Sequence, residues 1–213
     1  RNAASLWGRT TGETETLLRR ELGNRRIQVS SIGPAGERGV RGSVVFSNPG
    51  KAAGGSGVGY VMGSKKLKAI GVRGSAKVPL ADAGRFQDTV REIIANLGED
   101  MQVTAFRLAG TAGSIDILHM YGDMPIRYFQ QGEWQNVNDL SGVVMADKYQ
   151  TRRYACYRCP IGCGRETRAP DYGLDRADGP EYETIAAFGS LAMVDDLQGV
   201  IYAGHLCNQH GVD

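Results

Sequence analysis

Residues 48–68 read NPGKAAGGSGVGYVMGSKKLK, a glycine-rich stretch whose last four residues include Lys65, Lys66 and Lys68. Glycine supplies 30 of the 213 residues of the chain, which is about twice its average usage. A loop of this kind lets backbone N–H groups and lysine ammonium groups approach a phosphate closely. It is not a P-loop, because Gly63 is followed by Ser64 and Lys65 rather than by lysine and serine. The alternative is a bulged, tightly turned β region with a solvated lysine face.

Around this loop the sequence pattern changes near residues 76–82. Short β-branched, aromatic or alternating runs predict strands at 27–29, 44–46 and 68–74. Helical spacing and end signals predict helices at 11–22, 82–98, 115–120, 180–191 and 195–208. Thr11 or Thr14 is the expected N-cap of the first helix. The expected fold class is α+β, with a β part over residues 1–78 and a mostly helical part over residues 79–213.

The second informative segment is CYRCPIGC, residues 156–163, which contains three of the four cysteines of the chain. The thiolates of Cys156, Cys159 and Cys163 can converge on one soft metal centre, with Pro160 and Gly162 forming the turn. Three cysteines spaced in this way most often bind a [4Fe–4S] cluster, with a fourth thiolate from elsewhere. Zinc is one alternative, although a structural zinc site takes four ligands at its own spacings. Three buried thiols without a metal are the other.

Together these segments resemble the aldehyde ferredoxin oxidoreductase family, tungsten (sometimes molybdenum) enzymes with a bis-pyranopterin cofactor. The segments that carry the resemblance occur in the family's order, at 4–8 (ASLWG), 32–37 (IGPAGE), 61–70 (VMGSKKLKAI), 125–132 (PIRYFQQG), 156–163 and 179–184 (GPEYET). The resemblance implies that the chain is a fragment of a larger three-domain protein. It would comprise the end of an N-terminal β domain, which forms the base for the cofactor, and most of a helical middle domain.

By position, the resemblance implies that Cys156, Cys159 and Cys163 are three of the four ligands of a [4Fe–4S] cluster. It also implies an acidic residue near the tungsten, at Glu181 or Glu183, where a partly buried carboxyl group could shuttle a proton. The alternative for either glutamate is simple charge complementation at the start of a helix.

The resemblance further implies two pterin-binding segments. The backbone of the first would face the pterin phosphates and a bridging Mg²⁺, at Gly55, Ser56, Gly57, Val58 and Gly59. Many family members have an arginine at the position where this chain has Gly55-Ser56, so that contact is lost or comes from another segment. The second resembles the family's D-x-x-G-L-D element and contributes Asn208, Gly211 and Asp213. Asn208 stands for the usual aspartate and Val212 for the usual leucine.

The implied activity is the interconversion of aldehydes and carboxylic acids in the cytoplasm, with electrons passing to ferredoxin or another electron-transfer protein. The unusual loop at 55–60 keeps open a second function, the catalytic subunit of a tungsten-type benzoyl-CoA reductase acting on an aromatic acyl-CoA. A non-catalytic iron–sulfur or zinc-binding module is the alternative from another class. A homodimer or a larger complex is compatible with all three.

Charge and hydropathy exclude other partners. The net charge is +2 with both signs interspersed, and no nucleic-acid-binding module is apparent, so we expect no nucleic-acid partner. No run approaches the roughly 18 apolar residues that a membrane-spanning helix needs, so we expect no membrane span.

Overall fold

The computed structural model describes residues 2–47 and 50–213, so Asn48 and Pro49, at the start of the glycine-rich stretch, lie outside the described residues. The chain divides into two compact units. The first unit comprises residues 1–76 together with 205–213, and the second comprises residues 77–204. Residues 205–213, the closing segment, therefore group with residues 1–76 in the structure, and the predicted domain division at residue 78 stays a prediction.

The first unit contains a four-stranded antiparallel sheet of order β3-β2-β1-β4. Its strands are β1 (Gln28–Ile32), β2 (Val45–Ser47), β3 (Ala52–Ala53) and β4 (Ala69–Val72). Its helices are α1 (Thr11–Glu21), α2 (Pro34–Glu37) and α3 (Val58–Ser64). The buried apolar side chains of Val29, Ile32, Val44 and Phe46 form its core, which explains the β-branched and aromatic runs of the sequence.

The N-cap of α1 is Thr10, so the prediction of Thr11 or Thr14 was wrong. The Thr10 hydroxyl accepts the N–H of Glu13 at 3.2 Å, and the Glu13 carboxylate accepts the N–H of Thr10 at 2.9 Å. This reciprocal capping box needs an acidic or amide side chain three residues after the cap. Thr10 has Glu13 at that spacing, while Thr11 is followed there by Thr14.

The second unit combines helices with a three-stranded antiparallel sheet of order β5-β6-β7. Its helices are α4 (Ala83–Glu99), α5 (Met101–Ala109), α6 (Ser114–Met120), α7 (Gly142–Lys148), α8 (Tyr182–Phe188) and most of α9 (Leu197–His210). Its strands are β5 (Gln150–Tyr154), β6 (Gly164–Ala169) and β7 (Leu174–Asp178). Its core includes Ile115, Ile126, Leu140, Met145 and Ile185, each with 0% of its surface exposed. The α+β class is confirmed.

The sheet of the second unit was not visible in the sequence pattern. Its strands are rich in arginine, aspartate and glutamate and lack the apolar alternation that predicts a half-buried strand. None of the helices in the described parts of the chain is long and apolar enough to cross a membrane.

Candidate functional site

The three clustered cysteines lie on the loop that connects β5 to β6. The N–H of Cys159 donates to the carbonyl of Cys156 at 3.0 Å and closes a tight turn. Arg158 and Gly162 have left-handed backbones, with φ of 55° and 70°. Cys156 is exposed, and Cys159 and Cys163 are half-buried. The loop therefore places three thiols on one short, sharply turned piece of backbone.

The guanidinium of Arg165, the second residue of β6, holds this loop against the end of α5. It donates to the loop carbonyls of Gly162 at 3.2 Å and Gly164 at 2.9 Å. It also donates to the α5 carbonyls of Phe106 at 2.8 Å and Arg107 at 2.7 Å. The Phe106 carbonyl also accepts the N–H of Gly110 at 3.0 Å, whereas carbonyls in the last turn of a helix, such as that of Arg107, lack a partner within the helix. Arg165 therefore caps α5 while it fixes the cysteine loop.

Tyr154, the last residue of β5, links that strand to the end of β7 beneath the cysteine loop. Its hydroxyl donates to the Asp178 carboxylate at 2.5 Å, and burial together with this bond raises the pKa of Tyr154. Its ring lies over Gly164, where an added Cβ would be 2.6 Å from the ring atoms. A glycine is therefore required directly after Cys163.

The structure distinguishes the two candidate glutamates. Glu181 is half-buried at the N-cap of α8, and its carboxylate accepts the Thr111 hydroxyl at 2.5 Å. The same hydroxyl accepts the N–H of Tyr182 at 2.9 Å, so it is oriented to donate to Glu181. Glu183 lies in the first turn of α8 and is exposed. Of these two glutamates, Glu181 is the one whose carboxylate is partly buried and held by a hydrogen bond.

The donor set of the cysteine loop fits an iron–sulfur cluster. Such a cluster is held by cysteine thiolates, each on its own iron, and three thiols on one anchored loop supply most of a set. A zinc ion needs four ligands around a single centre. Within residues 2–47 and 50–213, no group of three or more His, Cys, Asp or Glu side chains is placed to hold one metal ion, and this includes the three loop cysteines. The fit to a cluster therefore rests on the chemistry and the spacing of the thiols.

Most glycines of the glycine-rich stretch are needed for packing inside the first unit. An added Cβ at Gly63 would lie 1.8 Å from the Gly36 carbonyl oxygen, and one at Gly59 would lie 2.7 Å from the backbone of Val44. Gly57 is similarly close to neighbouring backbone, at 2.5 Å. The close approach predicted from composition is therefore made, at these positions, by the protein's own backbone.

Gly55 differs from these glycines because it faces open space. Its φ is 76°, and no atom lies within 4 Å of an added Cβ. Its N–H donates to the Asp213 carboxylate at 2.5 Å, and Gly54 packs against the same carboxylate. Ser56 beside it is exposed. Two predicted pterin-binding segments, distant in sequence, thus meet at Gly55 and Asp213.

The rest of the closing segment is held by contacts with Thr11, Gly33 and Val44 of the first unit. The Asn208 carbonyl accepts the Thr11 hydroxyl at 2.8 Å. Gly211, with φ of 73°, accepts the N–H of Val44 at 3.0 Å through its carbonyl. An added Cβ at Gly33 would lie 2.7 Å from the Gly211 nitrogen. Backbone contacts therefore fix the turn that precedes Asp213.

Lys68 is a structural residue and is unavailable to a phosphate. Only 1% of its surface is exposed, and its ammonium lies 2.5 Å from the Glu37 carboxylate and donates to the Arg9 carbonyl at 2.7 Å. Glu37 also accepts the N–H of Gly8 at 2.7 Å. Burial lowers the pKa of Lys68, and Glu37 opposes that shift. This ion pair joins three segments that carry the resemblance, 4–8, 32–37 and 61–70.

The segment 125–132 contains a strained turn that the sequence did not reveal. Arg127, Tyr128 and Phe129 are consecutive left-handed residues, with φ of 47°, 53° and 62°. This conformation costs a residue with a side chain roughly 1–2 kcal/mol, and no glycine marks it. The aromatic side chains are 72% and 78% exposed, and a cavity of about 290 Å³ lined by Met124, Phe129 and their neighbours lies beside them.

Comparisons with known proteins cover the whole chain. Residues 1–74 match the family model "Aldehyde ferredoxin oxidoreductase, N-terminal domain", and residues 88–213 match "Aldehyde ferredoxin oxidoreductase, domains 2 & 3". Tungsten-containing aldehyde ferredoxin oxidoreductases of Thermococcus kodakarensis and Pyrococcus furiosus are each 42% identical over 100% of this chain and 35% of their own length. The chain therefore spans 35% of the length of these curated relatives.

Two further proteins that the chain resembles have names that indicate other substrates. The aliphatic sulfonate oxidoreductase, WOR-like subunit, of Pyrococcus furiosus is 32% identical over 85% of this chain and 29% of its own length. Among solved structures, the active site complex BamBC of benzoyl coenzyme A reductase, in complex with 1,5-dienoyl-CoA, matches with a TM-score of 0.76 and 25% identity. That match covers 100% of this chain and 34% of the other.

Proposed function

The chain belongs to the aldehyde ferredoxin oxidoreductase family, and from that premise we propose that its protein interconverts aldehydes and carboxylic acids. The observation that carries this proposal is the 42% identity over the whole chain to tungsten-containing aldehyde ferredoxin oxidoreductases. The same relatives are tungsten-containing, which supports tungsten in the proposed bis-pyranopterin cofactor, with molybdenum as the alternative metal. Ferredoxin or a similar carrier in the cytoplasm is the proposed electron acceptor, and a homodimer or larger complex is compatible with this role.

The cysteine loop is the proposed site of a [4Fe–4S] cluster. When bound, the pterin-held metal and the cluster supply two-electron and one-electron redox chemistry respectively. The thiolates of Cys156, Cys159 and Cys163 would bind irons of the cluster. Arg165 supports this proposal, because its hydrogen bonds to the carbonyls on both sides of Cys163 fix the backbone that carries this thiol.

The pterin phosphates and Mg²⁺ are proposed to bind to the first unit. Gly55 supports this proposal because its left-handed backbone faces open space, and Ser56 supports it because it is exposed. Gly57, Val58 and Gly59 complete the segment and begin α3. Asn208, Gly211 and Asp213 form the second proposed segment, in which the Asp213 carboxylate orients the Gly55 amide.

Glu181 is the proposed proton-transfer acid, in preference to Glu183. Its half-buried carboxylate is held by the Thr111 hydroxyl, and a positioned carboxyl group can deliver or accept the proton of the reaction. We expect Glu181→Gln to lower turnover about 10²- to 10⁴-fold, the usual contribution of a general acid or base. Glu183→Gln, on the exposed face of the same helix, is the matched control and should retain wild-type turnover. Equal losses in both variants would contradict the assignment.

Viologen reduction under anaerobic conditions tests the substrate class. We expect the holoenzyme to reduce the dye with short aliphatic or aromatic aldehydes and to be inactive with dienoyl-CoA. The second candidate, a benzoyl-CoA reductase subunit, rests on the TM-score of 0.76 to that enzyme's active-site complex. Activity with the thioester alone would replace the aldehyde proposal with this one. A holoprotein that contains the cluster but is inactive with both would favour the non-catalytic module.

A further inference from the structure

Arg165 is a buried cation without a carboxylate partner. Only 2% of its surface is exposed, and all four of its hydrogen bonds go to backbone carbonyls. Its Nε atom is buried and has no hydrogen-bond partner. Across residues 2–47 and 50–213 no carboxylate lies within ion-pair distance of it.

Three carboxylates near Arg165 on its own sheet and on α8 have other partners, and Asp175 and Glu183 are exposed. Glu166, the next residue, binds Arg152 and Arg176 at 2.5 and 2.6 Å. Asp178 accepts the Tyr154 hydroxyl, and Glu181 accepts a threonine hydroxyl. Lys68, another fully buried cation of the described chain, lies in direct contact with a carboxylate. Burial of a charge is costly unless a counter-charge compensates it. Arg165 lacks the direct carboxylate contact that Lys68 has, and Glu181 attracts it only from beyond ion-pair distance.

The position of the guanidinium indicates where its counter-charge would be. It donates to the carbonyls of Gly162 and Gly164, the residues on either side of Cys163. Gly110, which ends α5 with φ of 64°, lies against both the Cys163 carbonyl and the Arg165 side chain. The charge is therefore held next to a cysteine whose thiolate, when it binds iron, is negative.

We propose that Arg165 is a positioning residue that supplies the counter-charge of the iron–sulfur cluster bound at Cys163 and raises its reduction potential. This inference rests on the proposed function, because it requires a cluster at the cysteine loop. Thiolate-ligated clusters carry net negative charge, and net charge and hydrogen bonding tune their potentials. One-electron reduction adds a further negative charge to the cluster, so a fixed cation nearby stabilises the reduced form more than the oxidised form.

The test is a redox titration of the cluster in the holoenzyme, followed by the EPR signal of its reduced form. Arg165→Gln removes the charge and keeps part of the hydrogen bonding, and Arg165→Lys keeps the charge and loses the forked geometry. Arg168→Gln, an exposed arginine of the same strand, is the control for loss of one positive charge. We expect Arg165→Gln to shift the one-electron equilibrium at least tenfold toward the oxidised form, which is 59 mV to lower potential. Arg165→Lys and Arg168→Gln should remain close to wild type.

Two results would overturn the inference. One is a wild-type midpoint potential in an Arg165→Gln enzyme with full iron content. The other is an equal shift in Arg165→Lys and Arg165→Gln, which would assign the effect to packing. Should Arg165→Gln fail to retain iron, retention by Arg165→Lys supports the counter-charge, and equal loss in both refutes it. The absence of iron from the wild-type holoprotein would instead contradict the proposed function.

Discussion

The buried pair between Lys68 and Glu37 should be a principal determinant of stability in the first unit. We consider Lys68→Met, which keeps most of the aliphatic length of lysine and removes its charge. The Glu37 side chain is 5% exposed, and in the variant its carboxylate would keep only the Gly8 N–H as partner. The Arg9 carbonyl, which now accepts the ammonium at 2.7 Å, would also lose its bond.

The expected loss follows from the fate of the carboxylate. Removing one partner of a buried ion pair typically costs about 3–5 kcal/mol, because the remaining charge is left uncompensated. Replacing both partners with apolar residues is often neutral, so Lys68→Met combined with Glu37→Leu should recover most of the loss. Lys65→Met, at an exposed position three residues earlier, should change stability by no more than about 0.5 kcal/mol.

Hydrogen exchange of the holoenzyme in increasing urea, read by mass spectrometry on peptides from 4–37 and 61–72, measures the opening of this unit. We expect the free energy of opening to fall by about 3–5 kcal/mol in Lys68→Met and to return in the double variant. A loss in Lys68→Met no larger than in Lys65→Met would refute the reasoning, as would a double variant that is less stable than Lys68→Met.

Three further predictions address packing, pH and the cysteine loop. Gly63→Ala should cost about 1–3 kcal/mol or more, because its Cβ would lie 1.8 Å from a carbonyl oxygen, whereas Gly74→Ala, in open space, should leave the thermal midpoint unchanged. The pKa of Glu166 is lowered below 4.5, chiefly by its hydrogen bond from Arg152. The ionised Glu166 carboxylate therefore stabilises the folded state fully above pH 4.5, and this stabilisation disappears as the pH falls through the lowered pKa. Acid unfolding followed by near-UV circular dichroism should show a weaker pH dependence in Arg152→Gln than in the wild type. Gly164→Ala should lower the iron content of the purified holoenzyme, because its Cβ would lie 2.6 Å from a tyrosine ring beneath the cysteine loop; unchanged iron content would contradict this.

Local signals in the sequence were sufficient for several elements. The helix predicted at 82–98 is α4, and its N-cap is Asp82, whose side chain accepts the N–H of Arg85 at 2.9 Å. The apolar spacing that follows it forms a single helix to Glu99. The strand predicted at 68–74 is β4, at Ala69–Val72. These features depend on neighbours within one or two turns, so the order of residues alone determines them.

Long-range contacts explain what the sequence could not indicate. Composition indicated that the backbone near Gly59 and Gly63 approaches another group closely, and the Cα atoms of these two glycines pack against the 43–44 backbone and α2. The contact of Gly55 with Asp213 spans 158 residues, and no local pattern predicts such a pair. Arg165 lies in a polar run, GRETRA, where nothing distinguishes a buried cation from an exposed one.

Metal analysis of the purified holoprotein, combined with EPR after dithionite reduction, tests the central claim most directly. The proposed tungsten-pterin, iron–sulfur oxidoreductase should contain tungsten or molybdenum together with about four irons per polypeptide. Its reduced form should give the EPR signal of a [4Fe–4S] cluster, and replacing Cys159 or Cys163 with serine should abolish that signal. Stoichiometric zinc without iron, tungsten or molybdenum would contradict the account and identify the cysteine loop as part of a zinc-binding module.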